Sequence, residues 1–212
     1  LSHWGLKLSR SSGVAKPKLD CERDNNVYFT QDKSDKIIKY ILPHFQRSNR
    51  VLNCLDACCG LGVLGKSLEK NKLCRVTYID NRDMPIDNFI RADLSTKKLK
   101  CQYDIITCNP PWIPTQYTYQ IYNNLCKSLK YNGVLVFICN NTFFYQSSKR
   151  AVNLKFNKYY DLPRDTFKES GKLMLDCRVG IYHNDDLVPA PAANLHTFID
   201  LRTEDCSTKN LF

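Results

Sequence analysis

The sequence predicts an open, doubly wound and mostly parallel α/β sheet of seven strands with helices on both faces and an antiparallel edge pair. Three observations predict it. Apolar, strand-like runs alternate with helical stretches from about residue 30 to residue 150. The run "GVLVFIC", Gly133 to Cys139, is almost unbroken in its apolar character, as in strands buried on both faces of a parallel sheet. The unusual residues, namely glycines, acids and a double proline, gather at the carboxyl ends of the runs, which is the edge where such sheets bind ligands. A chain of 212 residues is long enough for one such domain to bury its core without disulfides.

The elements follow in order. Lys7, Arg10, Lys16 and Lys18 stand among Ser, Gly and Pro, so residues 1–26 read as a flexible basic arm. The domain proper is expected over residues 27–183. "NNVYFTQ" reads as a short strand or turn, and "KSDKIIKYILPHF" as a helix with Ile37, Ile38, Ile41 and Leu42 on one face, ended by Pro43. Val51 to Leu55 form a first strand, followed by an acid, a glycine-containing turn and a helix to about Lys70. "CRVTYID" is a second strand ending at Asp80, "DNFIRADL" a short third ending near Asp93, and "YDIITCN" a fourth. A helix from about Tyr117 to Lys130 leads to Gly133 and the fifth strand. "KYYDLP" and "LDCRVGIYH", separated by "RDTFKESGK", are the antiparallel pair, and residues 184–212 read as a tail.

Composition narrows the function classes. No apolar run approaches the roughly 20 residues needed to span a bilayer, so no membrane partner is expected. The eleven cysteines are odd in number and several sit inside strand-like runs, which reads as buried thiols in a reducing, intracellular compartment (cytoplasm or nucleus). No paired C-x-x-C spacing points to a metal. Lys and Arg outnumber Asp and Glu by 31 to 21, a net charge of +10 that suits an anionic partner such as nucleic acid and equally suits a solvated basic face.

The loop after the first strand carries the first chemistry. Gly60 and Gly62 let the backbone approach a ligand and open a helix whose first N–H groups are free. Asp80 ends the second strand, where a carboxylate can accept both hydroxyls of a ribose, and Asp93 ends the third, within reach of an adenine amino group. Asp56 would oppose a phosphate at this loop and suits a cationic ligand part, a sulfonium or α-amino group. An adenosine-containing cofactor with a cationic end answers all four signals.

Here "LDACCGLG", Leu55 to Gly62, resembles the D-P-A-C-G-S-G form of the first motif of class I S-adenosylmethionine-dependent methyltransferases. "NPPW", Asn109 to Trp112, resembles the (D/N)-P-P-(Y/F/W) motif of those that methylate amino nitrogens. "YFTQ", Tyr28 to Gln31, is similar to a segment that closes over the methionine carboxylate in many adenine-N6 DNA methyltransferases. The resemblance spans about residues 27 to 182. It implies a Rossmann-like fold, S-adenosyl-L-methionine as cofactor, and a cofactor site of Tyr28, Phe29, Thr30, Asp56, Cys58, Gly60, Gly62, Asp80, Asp93 and Asn109. It also implies a catalytic corner of Asn109, Pro110, Pro111 and Trp112, with Trp112 as the face on which a flipped or single-stranded base stacks. Cys58 and Leu61 depart from the small residues usual at those positions, which leaves Leu61 either crowding the cofactor or pointing into the core.

The substrate reading divides further. An acid or amide at the first position of the motif points to adenine N6, in DNA or RNA, whereas cytosine-N4 enzymes more often begin with serine. Ribose methylation is disfavoured, because the fourth strand ends in Asn109 and the fifth in "CNN" without lysine. Protein glutamine N5-methylation uses a similar corner closed by tyrosine, and a non-catalytic subunit could keep the loop without turnover. No room remains for a separate recognition domain. Recognition falls to the basic arm, to Tyr117 and its neighbours in "PTQYTYQIYNN", to Arg164 and Lys168 between the last strands, or to another polypeptide.

Overall fold

The computed structural model describes residues 30–44, 50–100, 102–149, 154–168, 175–185 and 196–198. The basic arm, Tyr28, Phe29 and most of residues 184–212 lie outside the described residues. Helix α1, Gln31–Ile41, begins at Thr30, whose extended backbone and side-chain oxygen cap the Lys33 N–H, and buries Ile37, Ile38 and Ile41 as the apolar spacing requires. A 3₁₀ turn, Leu42–His44, carries Pro43.

The five parallel strands are β1 (Leu52–Ala57), β2 (Cys74–Asp80), β3 (Phe89–Arg91), β4 (Tyr103–Cys108) and β5 (Leu129–Asn140). Between them lie α2 (Val63–Glu69) and α3 (Thr115–Cys126), and α4 (Asn141–Lys149) follows β5. Strands β6 (Lys158–Leu162) and β7 (Cys177–His183) pair antiparallel, and β7 is antiparallel to β5 as well. The sheet order is β3-β2-β1-β4-β5-β7-β6-β8. The seven strands read from sequence are therefore in place with the antiparallel edge pair, and a short β8, His196–Phe198, adds an eighth alongside β6 from within the segment read as a tail. A three-residue strand carries too few positions to show a period of two.

Helix α3 begins two residues before the sequence reading and ends four before it. Pro114 supplies the extended backbone at its start, while β5 already pairs with β4 at Leu129 and draws the chain out of helix. Helices α1 and α2 pack on one another, α2 on β1, β2 and β4, and α3 and α4 on β5. Strand β4 is buried at every position, and β5 from Gly133 to Cys139. Under α3 and α4 the rings of Tyr122, Phe137, Phe143, Phe144 and Phe156 pack with centroids 5.1–6.5 Å apart, which makes Phe143 and Phe144 core residues. Tyr119 joins them, its hydroxyl donating to the Phe143 carbonyl at 3.1 Å. Among the described residues eight cysteines are free thiols, half of them in β1, β4, β5 and β7 and buried. No helix among the described residues is long and apolar enough to cross a membrane.

Candidate active site

The strand order reverses between β1 and β4, since β1 leads outward to β2 while β4 leads the other way to β5. In open sheets a crevice forms beyond the carboxyl ends at such a point. A cleft of about 310 Å³ lies there. Its walls include Asp56, Cys58, Gly60, Leu61, Asp80, Asn109, Pro110, Pro111 and Tyr117, so residues from four separate stretches of sequence meet around one space.

The loop after β1 turns through a run of left-handed backbone: φ is 54° at Cys58, 49° at Gly60 and 72° at Gly62. The glycines adopt this freely and Cys58 does so at a cost of about 1–2 kcal/mol, a strained non-glycine on the wall of a cleft. Gly62 does not line the cleft. It sits at the start of α2 against Ile86 and Tyr78, where a Cβ would come within 3.0 and 3.1 Å of their side chains. Gly65, one helical turn on, lies so close to the Tyr78 ring that a Cβ would fall 2.2 Å from it, and its N–H donates to Asp56 Oδ2 at 2.7 Å. The three glycines thus divide their work among a tight turn, a helix start and close packing of helix on strand.

Asp56 is 1% exposed; its carboxyl accepts the Gly65 N–H and, at 3.4 Å, the Thr107 hydroxyl. Burial pushes its carboxyl up to about 8, with Asp80 and Glu69 adding repulsion against those two hydrogen bonds. Such a group gains by meeting a cation. Asp80 closes the same loop: its Oδ2 accepts the Gly60 N–H at 2.9 Å, and its Oδ1 accepts the N–H and Nε of Arg82, both at 3.1 Å. A carboxylate has about four acceptor positions, so capacity for ribose hydroxyls remains.

Two expected residues are placed differently. Asp93 does not line the cleft; Ala92 and Leu94 do. Its Oδ1 instead takes the Ser95 N–H at 2.9 Å, the Ser95 hydroxyl at 2.7 Å and the Tyr117 hydroxyl at 2.6 Å, an Asx turn that holds Tyr117 in the cleft wall. In this structure Asp93 supports Tyr117 and stands behind the cleft wall. Trp112 is 6% exposed and packs at right angles to the Phe167 ring, with centroids 5.1 Å apart, so little of its ring is open to a stacking base in this structure. The exposed apolar residue at that corner is its neighbour Ile113, 61% exposed and on the cleft wall.

Asn109, Pro110 and Pro111 line the same cleft just beyond the end of β4. Phe167 belongs to the connection between β6 and β7, so that connection leans on the corner, and Lys33 of α1 ties it down through the carbonyls of Asp165 and Thr166. Arg164 and Lys168 flank it outside the cleft, both more than half exposed and paired with Asp176 at 3.0 Å and Asp165 at 3.9 Å. Thr30 caps α1 and does not line the cleft. Leu61 is half-buried and lies on the cleft wall.

Sequence reading missed Asn81, Arg82, Ala92 and Leu94, each within three residues of the carboxyl end of β2 or β3, the location that alone could have nominated them. It also missed Gln31, whose amide nitrogen reaches the Val63 carbonyl at 2.9 Å and the Ser67 hydroxyl at 2.7 Å, coupling α1 to the helix that follows the loop. S-adenosyl-L-methionine is the cofactor that this architecture implies, and the buried, uncompensated acid of Asp56 beside a left-handed backbone loop fits its cationic end.

Comparison with known proteins agrees with the fold. A class I S-adenosylmethionine-dependent methyltransferase from Listeria monocytogenes superposes with a TM-score of 0.62 at 16% identity, over 81% of this chain and 66% of its own, so this chain spans just under two thirds of that protein. The N-methyltransferase NodS from Bradyrhizobium japonicum gives 0.51 at 16% identity over 73% and 97%. The [4+2]-cyclase SpnF gives 0.55 at 10% identity over 71% and 80%, a reminder that this fold hosts more than one chemistry. No curated protein sequence matches. Residues 19–166, which contain the loop, Asp80, Asn109 and the double proline, match the methyltransferase small domain, and the chain belongs to that family.

Proposed function

We propose that the protein transfers a methyl group from S-adenosyl-L-methionine to an exocyclic amino nitrogen of nucleic acid, with adenine N6 of DNA or RNA as the favoured target. The observation that carries the reading is that Asn109, Pro110 and Pro111 line the same cleft as Asp56, Gly60 and Asp80. When bound, the cofactor supplies an electrophilic methyl group on a sulfonium. Asp56 would answer its positive amino acid end, the loop backbone at Cys58 and Gly60 its close approach, and Asp80 its ribose.

An exocyclic amino nitrogen is a poor nucleophile because its lone pair is spread into the ring. The Asn109 side-chain oxygen and the Pro110 carbonyl are two acceptors at one corner, and each can take one hydrogen of the amino group. Held by both, the nitrogen becomes pyramidal with its lone pair directed across the cleft, which is positioning and electrostatic preorganisation together. After transfer the nitrogen returns its extra proton to solvent through the open mouth.

The net charge of +10, the exposed Arg164 and Lys168 beside the corner, and the basic residues of the first 20 support a polyanionic substrate. Recognition by a partner polypeptide is part of the same proposal, as is a reducing intracellular setting. The burial of Trp112 favours one rival, glutamine N5 of a protein, since a small amide needs no stacking platform.

Incubation with methyl-labelled cofactor and separate pools of duplex DNA, single-stranded RNA, structured RNA and protein, followed by nucleoside and amino acid analysis, tests the reading. Label in N6-methyladenine is expected, and Asn109→Ala should abolish it with cofactor affinity nearly intact. Label in glutamine would move the substrate to protein, and failure to bind the cofactor by calorimetry would remove the enzyme reading.

A further inference from the structure

The double proline creates a mechanical problem at the corner. Pro110 and Pro111 have no backbone N–H, so neither residue can anchor itself by donating a hydrogen bond. What remains for fixing this stretch is its carbonyls, and they need a donor from elsewhere. Thr118, the fourth residue of α3, supplies one: its hydroxyl lies 2.6 Å from the Pro111 carbonyl oxygen and 3.5 Å from that of Pro114. A hydroxyl has one proton, and the shorter contact is the true bond. Thr118 is 0% exposed, so water does not compete for either partner.

We infer that Thr118 is a positioning residue for methyl transfer: by holding the Pro111 carbonyl it fixes the peptide plane after the double proline and so keeps the Asn109 and Pro110 acceptors at a constant spacing. Three features of the site make the hydroxyl the element that matters. The first turn of α3 is already bonded to the corner through the Tyr117 N–H and Thr118 N–H on the Pro114 carbonyl, at 3.0 and 3.3 Å, so the helix gives the hydroxyl a rigid base. Trp112, next in sequence, is packed against Phe167 and holds the far side of the same peptide. The neighbouring Tyr117 is committed to Asp93 and so cannot substitute. A displacement of the corner by about 1 Å is enough to cost two orders of magnitude in rate when the chemistry depends on placed acceptors.

The inference rests on the amino-methyl transfer proposed above, and its test keeps the two separable. Thr118→Val removes the hydroxyl at nearly constant shape, and Thr118→Ser keeps it. At saturating cofactor, Thr118→Val should lower kcat about 10- to 100-fold with cofactor Kd within twofold, while Thr118→Ser should stay within about threefold of the wild type. A kcat for Thr118→Val within about threefold of wild type, equal damage by Val and Ser, or a fall in cofactor affinity that matches the fall in rate would each overturn it. A second readout needs no substrate. The chain has two tryptophans, Trp4 and Trp112, so in a Trp4→Phe background fluorescence reports the corner alone. Acrylamide quenching of Trp112 should rise in Thr118→Val and stay at the wild-type level in Thr118→Ser. Unchanged quenching in both would refute the positional claim even if the wild-type protein methylates adenine, and a wild-type protein without transfer activity would sink the functional reading while leaving this measurement decisive.

Discussion

Two buried aspartates on neighbouring strands divide the molecule into its two edges. Asp104, near the amino end of β4, is surrounded by donors: Arg50 reaches it at 2.5 and 3.2 Å, Lys130 at 3.0 Å and the Asn53 N–H at 2.8 Å. Burial works to raise its carboxyl, but those bonds outweigh it and hold the group below the usual carboxylate range. Asp56, near the carboxyl end of β1, is more deeply buried and meets only an amide and a hydroxyl, so burial prevails and its carboxyl is pushed up to about 8. One edge has completed its electrostatics and the other leaves an acid waiting for charge. The first acid is satisfied within the fold and serves stability; the second is the candidate for meeting a ligand's positive end.

Removing the waiting charge should have the largest effect. In Asp56→Asn the new amide oxygen can still accept the Gly65 N–H, and its nitrogen can donate to Thr107, whose own proton then goes to the Leu55 carbonyl at 3.4 Å. Shape and hydrogen bonds survive, and only the ability to ionise against a bound cation is lost. Cofactor affinity should fall about 100-fold, the scale for truncating one member of a buried charge pair. Stability of the free protein should move the other way. Below about pH 4 the wild-type carboxyl is protonated folded and unfolded alike. Above that the unfolded chain releases its proton and the folded one keeps it to about pH 8, so stability falls as pH rises through this window. The asparagine variant lacks that slope and should melt higher than wild type at pH 7 to 8, with a gain of at most about 5 kcal/mol. Calorimetric titration and thermal melts from pH 4 to 8 check both, and parallel slopes for the two proteins would break the contrast.

Asp104→Asn should do the reverse. Breaking a buried ion pair costs about 3–5 kcal/mol, but the Arg50 side chain is 58% exposed and keeps much of its water, so about 2 kcal/mol is expected. Because the native carboxyl is held low, its contribution is complete above the ordinary carboxylate pKa and is lost as pH falls through the folded value. Urea denaturation at pH 7 should separate variant from wild type, and the gap should narrow toward pH 3. Cofactor affinity should stay within about twofold, since Asp104 lies at the far end of the sheet from the cleft. A change in affinity as large as the one at Asp56 would show that the two edges are not independent.

The contrast between the edges also explains what the sequence disclosed. Asp56, Gly60, Asp80 and Asn109 were legible because each sits where a recognisable strand ends, and the sheet itself brings strand ends together. Asp93 obeyed the same rule and still went elsewhere. The serine two residues on offers both a hydroxyl and an N–H, and this local turn engages one carboxylate oxygen; the D-x-S spacing is present in the sequence. The burial of Trp112 has a different origin. Its ring packs against Phe167, 55 residues away in a connection with no regular period, and no local pattern reports such a contact. Strand β5 was legible as a core strand but not in its full length, because Lys130, Tyr131 and Asn132 at its start are polar or exposed.

The smallest effect is expected where the carboxyl edge meets solvent. Tyr117 lines the cleft with its ring and gives its hydroxyl to Asp93 at 2.6 Å. Burial and the nearby carboxylate push that hydroxyl up to about 12, while Asp93 is held low because its bonds from Tyr117 and Ser95 outweigh its partial burial. Tyr117→Phe keeps the ring and removes one bond, and Asp93 retains both Ser95 donors, so cofactor affinity should weaken only about two- to fivefold, near the net worth of one hydrogen bond. The Asp93 carboxyl should titrate at higher pH in the variant, visible in the carboxyl carbon resonance. Tyr117→Ala removes the wall itself and should weaken binding about tenfold or more. If Phe and Ala prove equally harmful, the bond to Asp93 outweighs the ring, and this half-exposed acid would then belong with Asp56 as a determinant of binding rather than with Asp104 as a satisfied part of the fold.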